Sequence, residues 1–243
     1  MRLFESYLVK NACYITATPM NPFGIMLHST GANNPRLNRY CIVPNEKINP
    51  NNWNQYTPSG KQVCVHAFIG KFEDGSIGTC QTLPWDIVGW HSGSGKRGSA
   101  NKMGYIGVEI CEDGLNDITY FNAVYKEAVE LFAYLCTKYK LDPMGEGIVI
   151  THCEGYQMGI ASNHADIMHW FKKYNKTMDD FRRDVNSILM VKTDMNEYQK
   201  WCVDNKIFVG DGNGNYNWDK PITRGQVAIV LKRLYDLIKL LFK

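Results

Sequence analysis

With 243 residues, 44% of them apolar and 21% charged, the chain has the composition of a globular protein and the length for one sizeable domain plus a small one, which excludes a disordered polypeptide. No stretch approaches the roughly 18 uninterrupted apolar residues of a membrane span, so a membrane partner is excluded. The formal charge of +3 lies in the C-terminal segment, where 9 of the 27 basic and 6 of the 24 acidic residues follow Val191; this hints at an anionic partner and is no nucleic-acid footprint.

The first residues, MRLFESYLVKNACYIT, lack the apolar run and small-residue cleavage site of a signal peptide, so the chain is expected to be made in the cytoplasm. Residues 24–28 (GIMLH), 62–70 (QVCVHAFIG), 105–111 (YIGVEIC) and 147–152 (GIVITH) are short, branched and apolar, and predict strands of one buried sheet. Residues 44–60, rich in Asn and Pro, predict a surface loop. Phe121, Val124, Ala128, Leu131, Leu135 and Tyr139 recur at helical spacing and predict an amphipathic helix ending near Lys140. The class is therefore α/β. Cys64, Cys111 and Cys136 fall inside apolar runs, as reduced buried thiols do.

Composition shifts after Met190, dividing the chain into 1–190 and 191–243. Asp194 with Glu197 reads as a cap pair opening a helix that holds Tyr198 and Trp201, and GDGNGNYNWDKP then turns the chain. Thr223 with Gln226 reads as a second capping box, before a stripe of Val227, Val230, Leu231, Leu234, Ile238 and Leu241. A module this small buries little by itself and is expected to lean on the first domain or to form a homo-oligomer. DGNGN imitates the start of a calcium loop, but no glutamate stands twelfth from Asp211, so calcium is discounted.

The chemistry concentrates in THCEGYQMGIASNHAD, residues 151–166, which reads as a loop. Histidines and acids so grouped are either solvated or bound to something, because burying them unpaired costs several kcal/mol. In the strand at 105–111, Glu109 faces away from Ile106, Val108 and Ile110; by the same alternation His28 faces away from Ile25 and Leu27. Two imidazoles and a carboxylate are a common catalytic zinc set. His152 and Cys153, adjacent in an extended segment, would point to opposite faces and not share one ion. A cysteine-peptidase reading of Cys153 is disfavoured, since such nucleophiles usually sit at a helix N-terminus with their histidine far off in sequence.

GIMLHST, CVHAFIG, GWHSG, IGVEI, HCEGY and NHAD stand in the order seen in zinc-dependent N-acetylmuramoyl-L-alanine amidases of the type-2 amidase and peptidoglycan-recognition group. The resemblance spans about residues 24–185 and looks like the phage endolysin and prophage branch of clostridia and their relatives. It implies a central mixed sheet flanked by helices, with the small helical module following. It implies Zn²⁺ held by His28, His152 and Asp166, Glu109 as general base toward water, and His164 as the group that steadies the oxyanion. Many relatives carry a catalytic tyrosine where this chain has Val65, which puts more weight on Glu109. The implied substrate is peptidoglycan, cut between N-acetylmuramic acid and L-alanine, with release to the wall by a holin.

Alternatives stand beside these assignments. Glu109 could face solvent or pair with Lys102, His164 could replace Asp166 on the metal, and His91 could touch substrate or hold its loop. His66 reads as a packed groove residue, and His169 with Trp170 as a helix start against the sheet. The rival functions are a non-catalytic peptidoglycan binder on the same fold and a cytosolic muropeptide-recycling amidase. The tail, IFVGDGNGNYNWDKPITRGQVAIVLKRL, resembles one S-layer homology repeat, although Trp218 stands where proline is usual and cell-surface proteins generally carry three repeats. That resemblance implies binding of a secondary cell-wall polymer, with Arg224 as an anion contact.

Overall fold

The structure is a computed structural model that describes residues 1–56, 62–210, 216, 218 and 220–241, without the side chains of 191–196 and 240–241. The chain divides into two compact units, Met1–Ile188 and Leu189–Lys243. In chain order the elements are β1 (Leu3–Glu5), α1 (Ala12–Thr16), β2 (Gly24–Ser29), β3 (Ala67–Lys71), β4 (Ile77–Gln81), α2 (Ala100–Met103) and β5 (Tyr105–Ile110). There follow α3 (Ile118–Tyr139), β6 (Val149–Thr151), α4 (His152–Gln157), α5 (Met168–Lys173), α6 (Met178–Asp204) and α7 (Arg224–Leu241).

The first unit is an α/β fold around a mixed sheet of six strands in the order β1-β4-β3-β5-β2-β6. All neighbours are parallel except β3 and β4, which form an antiparallel pair. Strand alternation sorts the sheet into two faces. Ala67 and Ile69 lie in register with Val108 and Ile110 on one, while Phe68 and His28 both lie in register with Glu109 on the other.

The helix read from residues 121–139 forms as α3. Asp117 caps it by accepting from the Thr119 and Tyr120 amides, and Lys140 ends it in the left-handed region at φ 54°. Phe121, Val124, Ala128, Leu131 and Leu135 are buried, and Phe121 meets Trp170 edge-on with ring centroids 5.4 Å apart. Burial of each large apolar side chain is worth about 1.5–3 kcal/mol, so this face is the main support beneath the sheet. Thr79 of β4 donates to the nearly buried Glu127 of α3 at 2.8 Å, tying helix to sheet.

Two strand expectations need correction. Of residues 62–70, only 67–70 are strand, with β3 running on to Lys71, because the His66 ring takes the place of a ladder partner: Gly107 N–H donates to His66 Nδ1 at 3.0 Å. Strands β1 and β4 lie outside the predicted set; three residues in one, and TCQ in the other, give no clear period-two signal. The predicted loop at 44–60 is irregular through residue 56, and its Trp53 packs edge-on to Phe68 at 5.1 Å; the expectation for 57–60 lies outside the described residues.

His66 has the packed role expected of it. It is fully buried, its Nε2 donates to the Ile87 carbonyl at 2.8 Å, and burial pushes its pKa down to about 4. The unfolded chain therefore binds a proton that the folded one refuses, and stability falls as pH drops from about 6.5 toward 4. Chemical denaturation at pH 6.5 and 4.5 is expected to show an acid-induced loss smaller by about 2 kcal/mol in His66→Gln, which lacks the ionisable ring. Equal losses in both proteins would place the acid sensitivity elsewhere.

In the second unit, the helix start expected at Asp194 does not occur: the backbone is helical without a break from Met178 to Asp204, so a local cap pattern has been overridden by continuing helix. Thr223 and Gln226 do form reciprocal capping bonds, Gln226 N–H to Thr223 Oγ1 at 3.2 Å and Thr223 N–H to Gln226 Oε1 at 2.8 Å. Val227, Leu231 and Ile238 of the α7 stripe are exposed. Phe208, Tyr216, Trp218, Lys220 and Arg233 line an open cavity of about 620 Å³ in this unit, whereas Arg224 does not. DGNGN lies outside the described residues. Among the described residues no helix is long and apolar enough to cross a membrane.

Candidate metal centre

The site is built where β2 and β5 end and β6 passes into α4. His152 is the first residue of a helix, and the loop reading of this part of the segment is corrected. The cause is a capping box: Thr151 Oγ1 accepts the Glu154 amide at 3.1 Å, and Glu154 Oε2 accepts the Thr151 amide at 2.9 Å. Glu154 Oε1 also accepts from Arg182 at 2.6 Å, and Arg182 Nε donates to the Val149 carbonyl at 2.8 Å, which ties α6 to the start of α4. After α4 the chain turns at Gly159, φ 77°, and returns through Ser162 to Asp166.

His28 Nδ1 lies 3.1 Å from Asp166 Oδ2 and 3.2 Å from His152 Nδ1, and His152 Nδ1 lies 3.8 Å from the same oxygen. A tetrahedral ion bound at about 2.0–2.1 Å spaces its ligands roughly 3.3 Å apart, so the three atoms match the edges of such a site. The donor chemistry fits as well. Two imidazole nitrogens and a carboxylate oxygen, all nearly buried, aim at one point and need a cation or a proton among them. Among the described residues this is the group of three whose donor atoms converge.

The surroundings set the charge states. Burial, with His28 beside it, lowers the His152 pKa to about 4, keeping that ring neutral. Burial works to raise the Asp166 pKa, but contact with His28, and with His152 beyond it, outweighs burial and holds the carboxyl below its usual range. Glu109 lies in register with His28, and burial, with Asp166 and Glu112 nearby, pushes its pKa well above the usual carboxylate range. Its Oε2 is buried without a hydrogen-bond partner, while the residue as a whole is half-buried. A carboxyl so reluctant to ionise, beside three converging donors, is a candidate for proton transfer.

His164 stands at the rim, its side chain 66% exposed and its Nδ1 3.3 Å from Asp166 Oδ1, outside hydrogen-bond geometry. His169, in α5, pairs with Glu112 at 3.0 Å next to the buried Trp170. His91 Nδ1 lies 3.0 Å from His28 Nε2, so it belongs to the surroundings of His28. Cys153 does stand in the first turn of a helix, yet His152 cannot serve it as base: Nε2 faces Ser162 Oγ at 3.2 Å and Nδ1 faces His28. Ser92, Asn101 and Ser162 join this network without a sequence signal, since their contacts cross between loops and follow no motif.

The N-acetylmuramoyl-L-alanine amidase family model matches residues 18–169, and the chain belongs to that family. The match contains every residue of the cluster. The ligand complex of Staphylococcus aureus hydrolase AmiA is similar at 22% identity and a TM-score of 0.53, over 79% of this chain and 85% of that one. A mutant of PlyL is similar at 22% identity and a TM-score of 0.52, over 77% and 99%. The PlyG catalytic domain is similar at 19% identity and a TM-score of 0.52, over 77% and 94%. At such identities these likenesses establish the fold. No curated protein matches the chain.

Proposed function

We propose that the chain is a zinc-dependent peptidoglycan hydrolase of the endolysin or autolysin kind, cutting the amide between N-acetylmuramic acid and L-alanine. The observation that carries the reading is the convergence of His28 Nδ1, His152 Nδ1 and Asp166 Oδ2 beside Glu109, whose Oε2 is buried and unpartnered. Zn²⁺ bound there supplies a Lewis acid that polarises the scissile carbonyl and acidifies water to a pKa of about 7. Glu109 accepts the proton of the attacking water and delivers it to the leaving L-alanine amine. Its raised pKa suits the second half of that task, for the group holds the proton until the amine takes it. His164, exposed at the rim beside Asp166, donates to the oxyanion of the tetrahedral intermediate. Val65 brings no hydroxyl to the site, so the proton work falls to Glu109.

In this reading residues 1–190 form the catalytic domain, and 191–243 dock to a secondary cell-wall polymer or self-associate. The second unit's aromatic cavity with Lys220 and Arg233 supports docking of an anionic polymer. The enzyme acts at the wall after release from the cytoplasm, by a holin in the phage case. Incubation with purified sacculi should release peptides with new L-alanine amino termini and leave glycan strands without new reducing ends. Binding to sacculi without any such termini would favour the non-catalytic binder, and cleavage of soluble muropeptides alone would favour the recycling amidase.

A further inference from the structure

Three features lie outside the roles given so far: the GWHSG segment, the buried Asn101, and Ser162. They are linked. His91 Nε2 lies 3.1 Å from the Tyr105 carbonyl, which can only accept, so that nitrogen carries the hydrogen. In the neutral ring Nδ1 is then an acceptor, and His28 Nε2, 3.0 Å away, must donate to it. The lone pair of His28 is thereby left on Nδ1, the atom that points at His152 and Asp166.

The second histidine is treated alike. Ser162 Oγ lies 3.2 Å from the Ser92 carbonyl, again only an acceptor, and therefore spends its hydrogen there. It can only accept from His152 Nε2, at 3.2 Å, so His152 also keeps its lone pair on Nδ1. Both anchors come from consecutive residues, the side chain of His91 and the carbonyl of Ser92. Asn101 Oδ1 holds that pair by accepting from His91 N–H at 3.1 Å, Ser92 N–H at 3.0 Å and Ser92 Oγ at 2.8 Å. Two glycines clear the room: a Cβ at Gly107 would stand 2.5 Å from His91 Cγ, and one at Gly93, where φ is 63°, would stand 2.8 Å from Ser162 Oγ.

We propose that His91 and Ser92, pinned by Asn101, are positioning residues that fix both metal histidines as Nε2–H tautomers with Nδ1 turned to the ion. The inference rests on the zinc reading of His28, His152 and Asp166. Partners of this kind orient ligands and raise their basicity, and losing one costs about 10–100-fold in metal affinity.

The test is carried out on the full chain, with zinc as the probe. Long-range ¹H–¹⁵N spectra of the zinc-loaded wild type should show Nε2–H at His28, His91 and His152. In chelator competition, His91→Phe and Asn101→Ala should weaken zinc binding about 10–100-fold, while Asn101→Asp, which retains the acceptor oxygen, should return most of the affinity. Stoichiometric zinc with Nδ1–H at His28 or His152 would overturn the tautomer lock and leave the metal site standing. Wild-type affinity in folded His91→Phe and Asn101→Ala would overturn it as well. Failure of the wild type to bind zinc at all would overturn both the lock and the metal reading.

Discussion

Changing Glu109 to glutamine is expected to slow cleavage of sacculi by about 10²–10⁴-fold while zinc content stays at the wild-type level. Glutamine preserves the shape of a side chain that lies in register with His28, but it can neither take a proton from water nor hand one to the amine. Zinc should be retained because Glu109 is not one of the three converging donors. Nor should the variant unfold more easily. Glu109 Oε2 has no partner in its buried place, and an unpaired buried carboxyl is a cost that the amide does not increase. Initial rates beside metal analysis and a thermal melt check all three expectations. An unchanged rate would move the base elsewhere; a lost rate accompanied by lost zinc would make Glu109 part of the metal's support.

Asp166→Asn is expected to weaken zinc binding by at least the roughly 100-fold seen when an outer partner is lost, since here a charged ligand itself goes. The two imidazoles remain, yet the anion that balances the ion, 3.1 Å from His28 Nδ1, is gone. The consequence reaches stability. A ligand present at 100 times its dissociation constant stabilises the fold by about 2.7 kcal/mol, so chelation should lower the wild-type melting temperature. The Asp166→Asn variant should melt at one temperature with and without chelator. If chelator shifted it as much as the wild type, Asp166 would not be a ligand, and the exposed His164 would become the third donor to examine.

Much of the first unit was legible because its signals are local. The stripe from Phe121 to Leu135 and the positive-φ stop at Lys140 agree with one another, and α3 forms where they say. Alternation showed that His28 and Glu109 each point away from their apolar neighbours, but that they share a face follows only from the parallel register of β2 and β5, which periodicity does not record. The start of α4 was also written in the sequence, as Thr151 with Glu154, but the small residues that follow drew the reading toward a loop. At Asp194 the same kind of pattern misled, because a cap signal is silent when the turn before it is already helical. His66 shortened a predicted strand by using its ring in place of a backbone acceptor, which no periodicity records.

The surroundings of the three converging donors were the least legible. Ser92 reaches Ser162 across 70 positions and His91 reaches His28 across 63, through single hydrogen bonds that leave no spacing to detect. The second unit divides differently: the Thr223 capping box was plain, while no local pattern says what would cover the exposed Val227, Leu231 and Ile238 of α7.

The central claim is that His28, His152 and Asp166 hold the zinc on which amide cleavage depends. Its most direct test is mass spectrometry of sacculi digested by the protein as purified, after chelation, and after zinc is restored. The account predicts new L-alanine amino termini and peptide-free glycan in the first digest, their loss on chelation, and their return with zinc. Cleavage at another bond, or cleavage indifferent to a chelator that has removed the metal, would contradict it.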